Sequence, residues 1–199
     1  MIFITQPWDM KLLVIVNQIM RKNWLDIVMP LISSAALLWV IIIAATAYGF
    51  QKKGPKFLVI MLVIISSMGI ADFSTGIIKS TIGRVRPVNS VPLTYFREDG
   101  KWQRRPLDFK PLKEKGNSYP SAHAANSMAF ALMCMFFFRK LRPWMIFLPL
   151  AVGYSRLYLG KHFPTDVLAG WVVGTCVAIS VWLVWKYLIK NKIPDKLRP

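Results

Sequence analysis

Long apolar stretches, separated by short basic or polar segments, run through this chain from Ile27 to Leu188. A bilayer crossing takes roughly 20 apolar helical residues, so the spans can be counted. Five stretches qualify: Ile27 to Phe50, Phe57 to Ile78, Ser121 to Phe138, Pro143 to Leu159 and Thr165 to Leu188, the third and fourth near the short limit. Ahead of them, Leu12, Leu13, Val16, Ile19 and Met20 fall on one helical face, while Lys11, Asn17, Gln18, Arg21 and Lys22 lie elsewhere. That run is too short for a sixth crossing. It predicts an interfacial amphipathic helix, with Trp8 and Trp24 as headgroup-level anchors. It lacks the charged start and small-residue cleavage site of a signal peptide. The expected fold class is all-α: a polytopic membrane helix bundle of about five transmembrane helices plus the amino-terminal interfacial helix.

Residues 79 to 119 make the only long connection. They are too polar for lipid and carry Arg97, Lys101, Arg104, Arg105 and Lys110 among acidic residues, so a structured cap or a mobile lid is expected there. With no internal repeat and no low-complexity segment, residues 1–199 read as one integral membrane domain, and the 79–119 loop carries part of its site.

Composition agrees, at 55% apolar and 13% aromatic residues. In a soluble protein the net charge of +17 would point to nucleic acid. Here the basic residues flank apolar spans, as at Lys52-Lys53, Arg139-Lys140-Arg142 and Lys186 to Arg198, so the expected partner is the bilayer and its anionic headgroups, and no nucleic acid. Cys134 and Cys176 fall inside apolar stretches and suggest neither a disulfide framework nor a zinc site.

The polar exceptions carry the chemistry. The chain has two histidines, each beside a cationic or capping cluster at a span end. Lys79 and Arg86 stand seven residues apart at the end of the second span, and Pro87 biases Arg86 towards extended backbone. Pro120-Ser121-Ala122-His123 opens the third span, with Ser121 a helix cap and Ala122 small enough to let a ligand approach the backbone. Helix starts attract anions through free N–H groups and the dipole. Ser155-Arg156 ends the fourth span, followed by His162 and, one helical turn on, Asp166. Pro164 suits the first turn of the fifth helix, and Asp166 is expected to accept a bond from one ring nitrogen of His162. Asp72, an acidic residue in the middle of the second expected span, is read as pairing with a site cation or orienting the second helix. With five spans the chain ends lie on opposite sides, and 79–119, 159–165 and the amino terminus, each two spans apart, share one side, so the clusters are neighbours. That side holds more Lys and Arg than the other, which by charge alone leans towards the cytoplasm. Several of those residues look like site residues instead, and the lean is discounted.

Taken in order, Lys79-x6-Arg86-Pro87, Pro120-Ser121-Ala122-His123 and Ser155-Arg156-x5-His162-x3-Asp166 resemble the three-part signature of the type 2 phosphatidic acid phosphatase family. One departure is visible: alanine stands at 122 where the family more commonly has glycine. The resemblance implies a lipid phosphate phosphatase in which His162 takes the phosphoryl group, Asp166 orients it and His123 is the general acid. It implies that Lys79, Arg86 and Arg156, with the Ser121 hydroxyl and the N–H groups near Ala122, hold the phosphate oxygens, and that no metal or cofactor is used. The substrate implied is a membrane lipid phosphate. The basic loop favours undecaprenyl diphosphate or lipid A 1-phosphate over phosphatidylglycerol phosphate or phosphatidate. The location implied is a bacterial plasma (inner) membrane with the site on the extracytoplasmic face; the oligomeric state stays open. A bis-histidine haem electron carrier would not call for these cations at these spacings, and a repeat-built transporter would show a duplicated half.

Overall fold

The computed structural model describes residues 5–198, most of them helical. Helix α1 (Pro7–Val14) runs into a π-helical turn, Ile15–Ile19, and is followed by α2 (Asn23–Ile32), α3 (Ala35–Lys53) and α4 (Pro55–Ile82). A 3-10 turn at Pro87–Asn89 and a hairpin of β1 (Tyr95–Glu98) and β2 (Lys101–Arg104) occupy the long connection. Then come α5 (Ala122–Phe137), the short α6 (Arg142–Met145), α7 (Phe147–Tyr158) and α8 (Pro164–Val184).

Among the described residues, three helical segments are long and apolar enough to cross a membrane: Ala35–Lys53, Pro55–Asn89 and Pro164–Lys192. The first expected span is two helices, because the pattern does not register the break between them. Pro30 lies inside α2, and Ser34 restarts the chain by accepting from Leu37 N at 3.3 Å as the cap of α3. Helix α5 has 16 residues, about 24 Å at 1.5 Å per residue, against an apolar thickness of about 30 Å. The fourth expected span is α6 and α7, interrupted at Ile146.

Helices α4, α5 and α8 form the centre, burying Ile64, Met68, Ala71, Ala125, Ala129 and Met133. The closest approach is α5 to α8. A side chain at Gly170 would put its Cβ 2.4 Å from the Ser121 carbonyl oxygen, and one at Gly174 would lie 2.3 Å from that of Ala125. Small residues one turn apart let the backbones touch, as in helix pairs packed within lipid. Ser121 N donates to Asp166 O at 2.8 Å, so the starts of the two helices are tied together.

The face that α1 and its π-helical turn bury is partly polar, which amphipathicity alone does not anticipate. Leu13 and Val16 go inwards, but so do Asp9 and Asn17, both fully buried, while Leu12, Ile19 and Met20 stay exposed. Asn17 donates from Nδ2 to the carbonyls of Tyr158 (2.8 Å) and Tyr95 (2.9 Å) and accepts from Tyr95 N (2.8 Å). It joins the amino-terminal segment to β1 and to the end of α7. The Arg21 guanidinium stacks between Trp102, Tyr95 and Tyr158, at 4.0 to 4.6 Å from the ring centroids, and pairs with Asp26. This half of the long connection is therefore a fastened cap.

Candidate active site

Three helix ends converge under the cap. Helix α4 closes at Gly83, whose φ of 66° is a left-handed geometry that glycine adopts without strain. Arg86 lies beyond the helix with extended backbone (φ −70°, ψ 149°), so it reaches the cleft by the chain doubling back, not by two further turns of helix. Helices α5 and α8 start at the same level, with Ser121 capping α5 and Pro164 opening α8.

These ends border a cleft of about 690 Å³ lined on its polar side by Lys79, Arg86, His123, Arg156, Lys161 and His162. Asp72, Ala122 and Asn126 line it too, and an apolar wall of Leu38, Trp39, Ile65, Met68, Phe130 and Leu148 continues from it. His162 lies at the floor, 2% exposed, whereas His123 is open to the cleft. Five expected site residues thus meet around one space: Lys79, Arg86, His123, Arg156 and His162, with Ala122 beside them.

Two expected positions differ. Ser121 is fully buried and does not line the cleft, because its Oγ accepts from Ala124 N at 3.4 Å as the α5 cap. The expected bond between Asp166 and His162 is replaced as well. His162 Nδ1 lies 2.8 Å from the Ser118 carbonyl oxygen and 3.7 Å from Asp166 Oδ2, beyond hydrogen-bond reach. The physical reason is that the carboxylate is already committed. Asp166 accepts from Arg84 Nη1 (2.6 Å), Ser118 Oγ (2.5 Å) and Phe163 N (2.8 Å). A carbonyl only accepts, so Nδ1 carries the ring proton and Nε2 keeps its lone pair. Burial, aided by Arg156 and Arg86 and opposed by Asp166, pulls His162 down to about 4, so the ring is neutral at neutral pH.

The cations are set to receive an anion. Arg156 is 7% exposed and donates from Nη1 to Ser33 Oγ at 3.1 Å; its Nε, like that of Arg86, is buried with no hydrogen-bond partner among the described residues. Burial, with Arg156 and Arg86 close by, lowers the ammonium of Lys161 below its ordinary value. Behind His162, Arg84 bridges Asp166 and Asp9 (2.5 Å from Nη2), lies 3.9 Å from the Phe163 ring centroid, and Asp9 also accepts from Thr165 N at 2.8 Å. Among the described residues Asp72 forms no ion pair with Lys79; its Oδ1 accepts from Asn126 Nδ2 at 3.4 Å, so it fastens α4 to α5 at the cleft wall.

Asp9, Ser33, Ser118, Lys161 and Arg84 serve the site without holding a motif position. Lys161 had a signal, being adjacent to His162. Arg84 and Ser118 lie within or beside the motif segments at positions that no motif names, and Asp9 and Ser33 act from distant points of the chain.

The family model described as the PAP2 superfamily matches residues 58–190, two-thirds of the chain and all three clusters. The chain belongs to the PAP2 superfamily. This PAP2 protein is 28% identical over 199 aligned residues to the lipid A 4'-phosphatase of Bacteroides thetaiotaomicron, covering 96% of this chain and 80% of that one. It is 30% identical to phosphatidylglycerophosphatase B of Bacillus subtilis, covering 78% and 73% of the two chains. In fold it is similar to the crystal structure of Aquifex aeolicus LpxE, with a TM-score of 0.68 and 18% identity over 92% of this chain and 99% of that one. The PAP2 chain is an integral membrane lipid phosphatase, a phosphoric ester hydrolase.

Proposed function

We propose that the protein removes phosphate from a multiply charged lipid headgroup, a lipid A phosphate or undecaprenyl diphosphate, through a phosphohistidine on His162. The observation that carries this reading is the pairing of a neutral, Nδ1-anchored His162 at the cleft floor with four cations on one side and an apolar wall on the other. Nε2 of His162 attacks phosphorus, the bond to the lipid oxygen or leaving phosphate breaks, and His123 gives that oxygen a proton. His123 then takes a proton from water as the water attacks phosphorus, breaking the P–N bond and releasing inorganic phosphate. Lys79, Arg86, Arg156 and Lys161, with the amides at Ala122 and His123, neutralise the charge on the phosphoryl oxygens. Phosphoryl transfer depends chiefly on such positioning and neutralisation, and fixed cations supply here what a metal ion supplies elsewhere.

A headgroup with more than one negative charge suits four converging cations, and the wall of Leu38, Trp39 and Phe130 suits a chain still in the bilayer. The bacterial inner membrane, with the cleft on its extracytoplasmic face, follows from the same assignment. Lys79, Arg86, Arg156 and Lys161 belong to the cleft, Arg21 to a half-buried pair and Arg84 to buried ones, so none of them reports topology. With those set aside, the opposite side, holding Lys52, Lys53, Lys56, Arg139, Lys140 and the Lys186-to-Arg198 segment, is the more basic and is assigned to the cytoplasm.

The test is phosphate release in detergent from a panel of lipid A, undecaprenyl diphosphate, phosphatidylglycerol phosphate and phosphatidate, with His162→Ala as the blank. Release from the first two is expected to be fastest. Phosphatidate turned over faster than either would overturn the substrate assignment, and release undiminished in the blank would overturn the mechanism. For the face, Leu107→Cys in a chain without Cys134 and Cys176 is expected to react with a membrane-impermeant maleimide on intact cells.

A further inference from the structure

The end of the bundle away from the cleft carries a second built cavity. Between the end of α3, the start of α4 and the far ends of α5 and α8 lies a pocket of about 530 Å³ whose rim holds Lys53, Lys56, Lys186 and Lys190. Its floor is aromatic and fixed. Phe136 stacks on Trp182 (centroids 5.0 Å), Phe137 meets Trp182 edge-on (5.2 Å) and Trp185 at 5.9 Å, and Phe57 lies 5.9 Å from Phe138. Lys53 Nζ is 5.6 Å from the Phe138 ring centroid, which draws its ammonium over the pocket.

Trp185, 3% exposed, is shared with an adjoining groove of about 610 Å³ between α4 and α8. That groove is apolar along its length, lined by Val59, Leu62, Val63, Val177, Val181 and Val184, and it runs from the level of the lysines towards Ile70, at mid-helix. Four ammonium groups at a helix-end level, an aromatic belt beneath them and an apolar channel leading inwards match one ligand shape: an anionic headgroup on acyl chains. Basic pockets between transmembrane helices take such headgroups, and aromatic side chains favour the interface itself.

We propose that this pocket and groove bind an anionic phospholipid of the leaflet opposite the active site, its phosphate among Lys53, Lys56, Lys186 and Lys190 and one chain in the α4–α8 groove. The site is separate from catalysis in position, since α4 and α8 present their opposite ends to the two cavities. The bound lipid is a fixed part of the protein's seat in the membrane, holding α3, α4 and α8 together at the end where no cap fastens them.

The experiment uses the full chain in detergent and native mass spectrometry with dioleoyl phosphatidylglycerol, which is a diester, against dioleoyl phosphatidylcholine. Retention of phosphatidylglycerol is expected to fall at least about ten-fold when all four lysines become glutamine. Ser180→Trp, which fills the groove and leaves every charge in place, is expected to weaken retention as well. The control Arg139→Gln/Lys140→Gln removes two cations of the same membrane face outside the pocket and is expected to change retention less than two-fold. Phosphate release is expected to be unchanged in all three proteins, which also reports that they fold. Equal loss in the control would mean general attraction to a basic girdle and overturns the proposal. Displacement by sn-glycerol 3-phosphate as effective as by lipid would mean a free phosphate site and overturns it too.

Discussion

The Ser118 carbonyl oxygen stands 2.8 Å from His162 Nδ1, while the nearer Asp166 oxygen stands 3.7 Å away. The backbone, not the carboxylate, fixes the tautomer of the proposed nucleophile. Asp166→Asn is therefore expected to lower turnover by about 10²-fold, well short of the roughly 10⁴-fold lost when a directly bonded carboxylate is replaced in a Ser-His-Asp triad. Rates of phosphate release for Asp166→Asn, set against the His162→Ala blank, decide it. A loss as deep as that of His162→Ala, in a protein with an unchanged melting temperature, would mean that the carboxylate bonds the ring during turnover.

Asp9 touches nothing in the cleft, yet it holds the arginine that holds Asp166. Asp9→Asn is expected to reduce kcat several-fold with little change in KM, because it loosens the support of His162 without altering the anion pocket. Arg84→Gln is expected to be far worse for the fold, since it leaves two fully buried carboxylates without their common cation, and breaking such a pair costs about 3–5 kcal/mol. Thermal melts in detergent beside steady-state kinetics separate the two effects. A rise in KM alone for Asp9→Asn would refute the positioning role.

The three motif clusters were legible because each needs particular residue types at helix ends, and both features are local. The convergence of Lys79, Arg86, His123, Arg156 and His162 follows from them. Asp9, Asn17 and Arg84 were not legible, because their partners lie some 75 to 82 residues away for Arg84 and 78 to 141 away for Asn17, where no periodicity reaches. Asn17 falls outside the apolar stripe of its helix, a position where hydropathy alone predicts exposure. It is buried because β1 and α7 offer backbone groups to its amide. The break at Ser33-Ser34 was hidden by continuous hydropathy on both sides, and with it the serine that supports Arg156. Gly170 and Gly174, one turn apart on α8, let α5 approach closely and explain why the His123 and Asp166 helices start side by side.

That packing gives a stability prediction. Gly174→Leu forces a side chain into the space filled by the Ala125 carbonyl, where even a Cβ would sit 2.3 Å from oxygen. The helices must separate, so a fall in stability of about 1–3 kcal/mol or more is expected from overpacking, together with reduced turnover. A melt in detergent micelles that matches the parent protein would show that α5 and α8 do not pack this closely.

Ser33 offers a cleaner probe of the anion pocket. Its Oγ accepts from Arg156 Nη1 at 3.1 Å and lies 2.6 Å from Ser155 Oγ, fixing a guanidinium whose Nε is buried. Ser33→Ala removes one hydrogen bond to a charged group, about 1.5–3 kcal/mol, so kcat/KM is expected to fall by roughly ten-fold or more. The comparison with Arg156→Lys, which keeps the charge but loses the fork, tests whether geometry or charge dominates. A Ser33→Ala protein with parental kcat/KM would place the holding of Arg156 elsewhere.

The two histidines allow the ionisation of His162 to be read alone, because His123→Gln leaves a single imidazole in a chain prepared without a tag. Burial holds His162 at about 4 against an ordinary value of 6.5. The folded state then binds fewer protons than the unfolded state between those two values, and the sign follows. Stability is highest above pH 6.5, falls as pH drops from 6.5 towards 4, and gains no further contribution from this group below 4. In ¹⁵N spectra of histidine-labelled protein in micelles, one nitrogen is expected to appear protonated and the other bare from pH 7 to pH 5. Protonation of both nitrogens with a midpoint near 6.5 would contradict the buried, neutral ring. It would also remove the lone pair that the proposed attack on phosphorus requires, so this titration bears on the nucleophile assignment without needing any substrate.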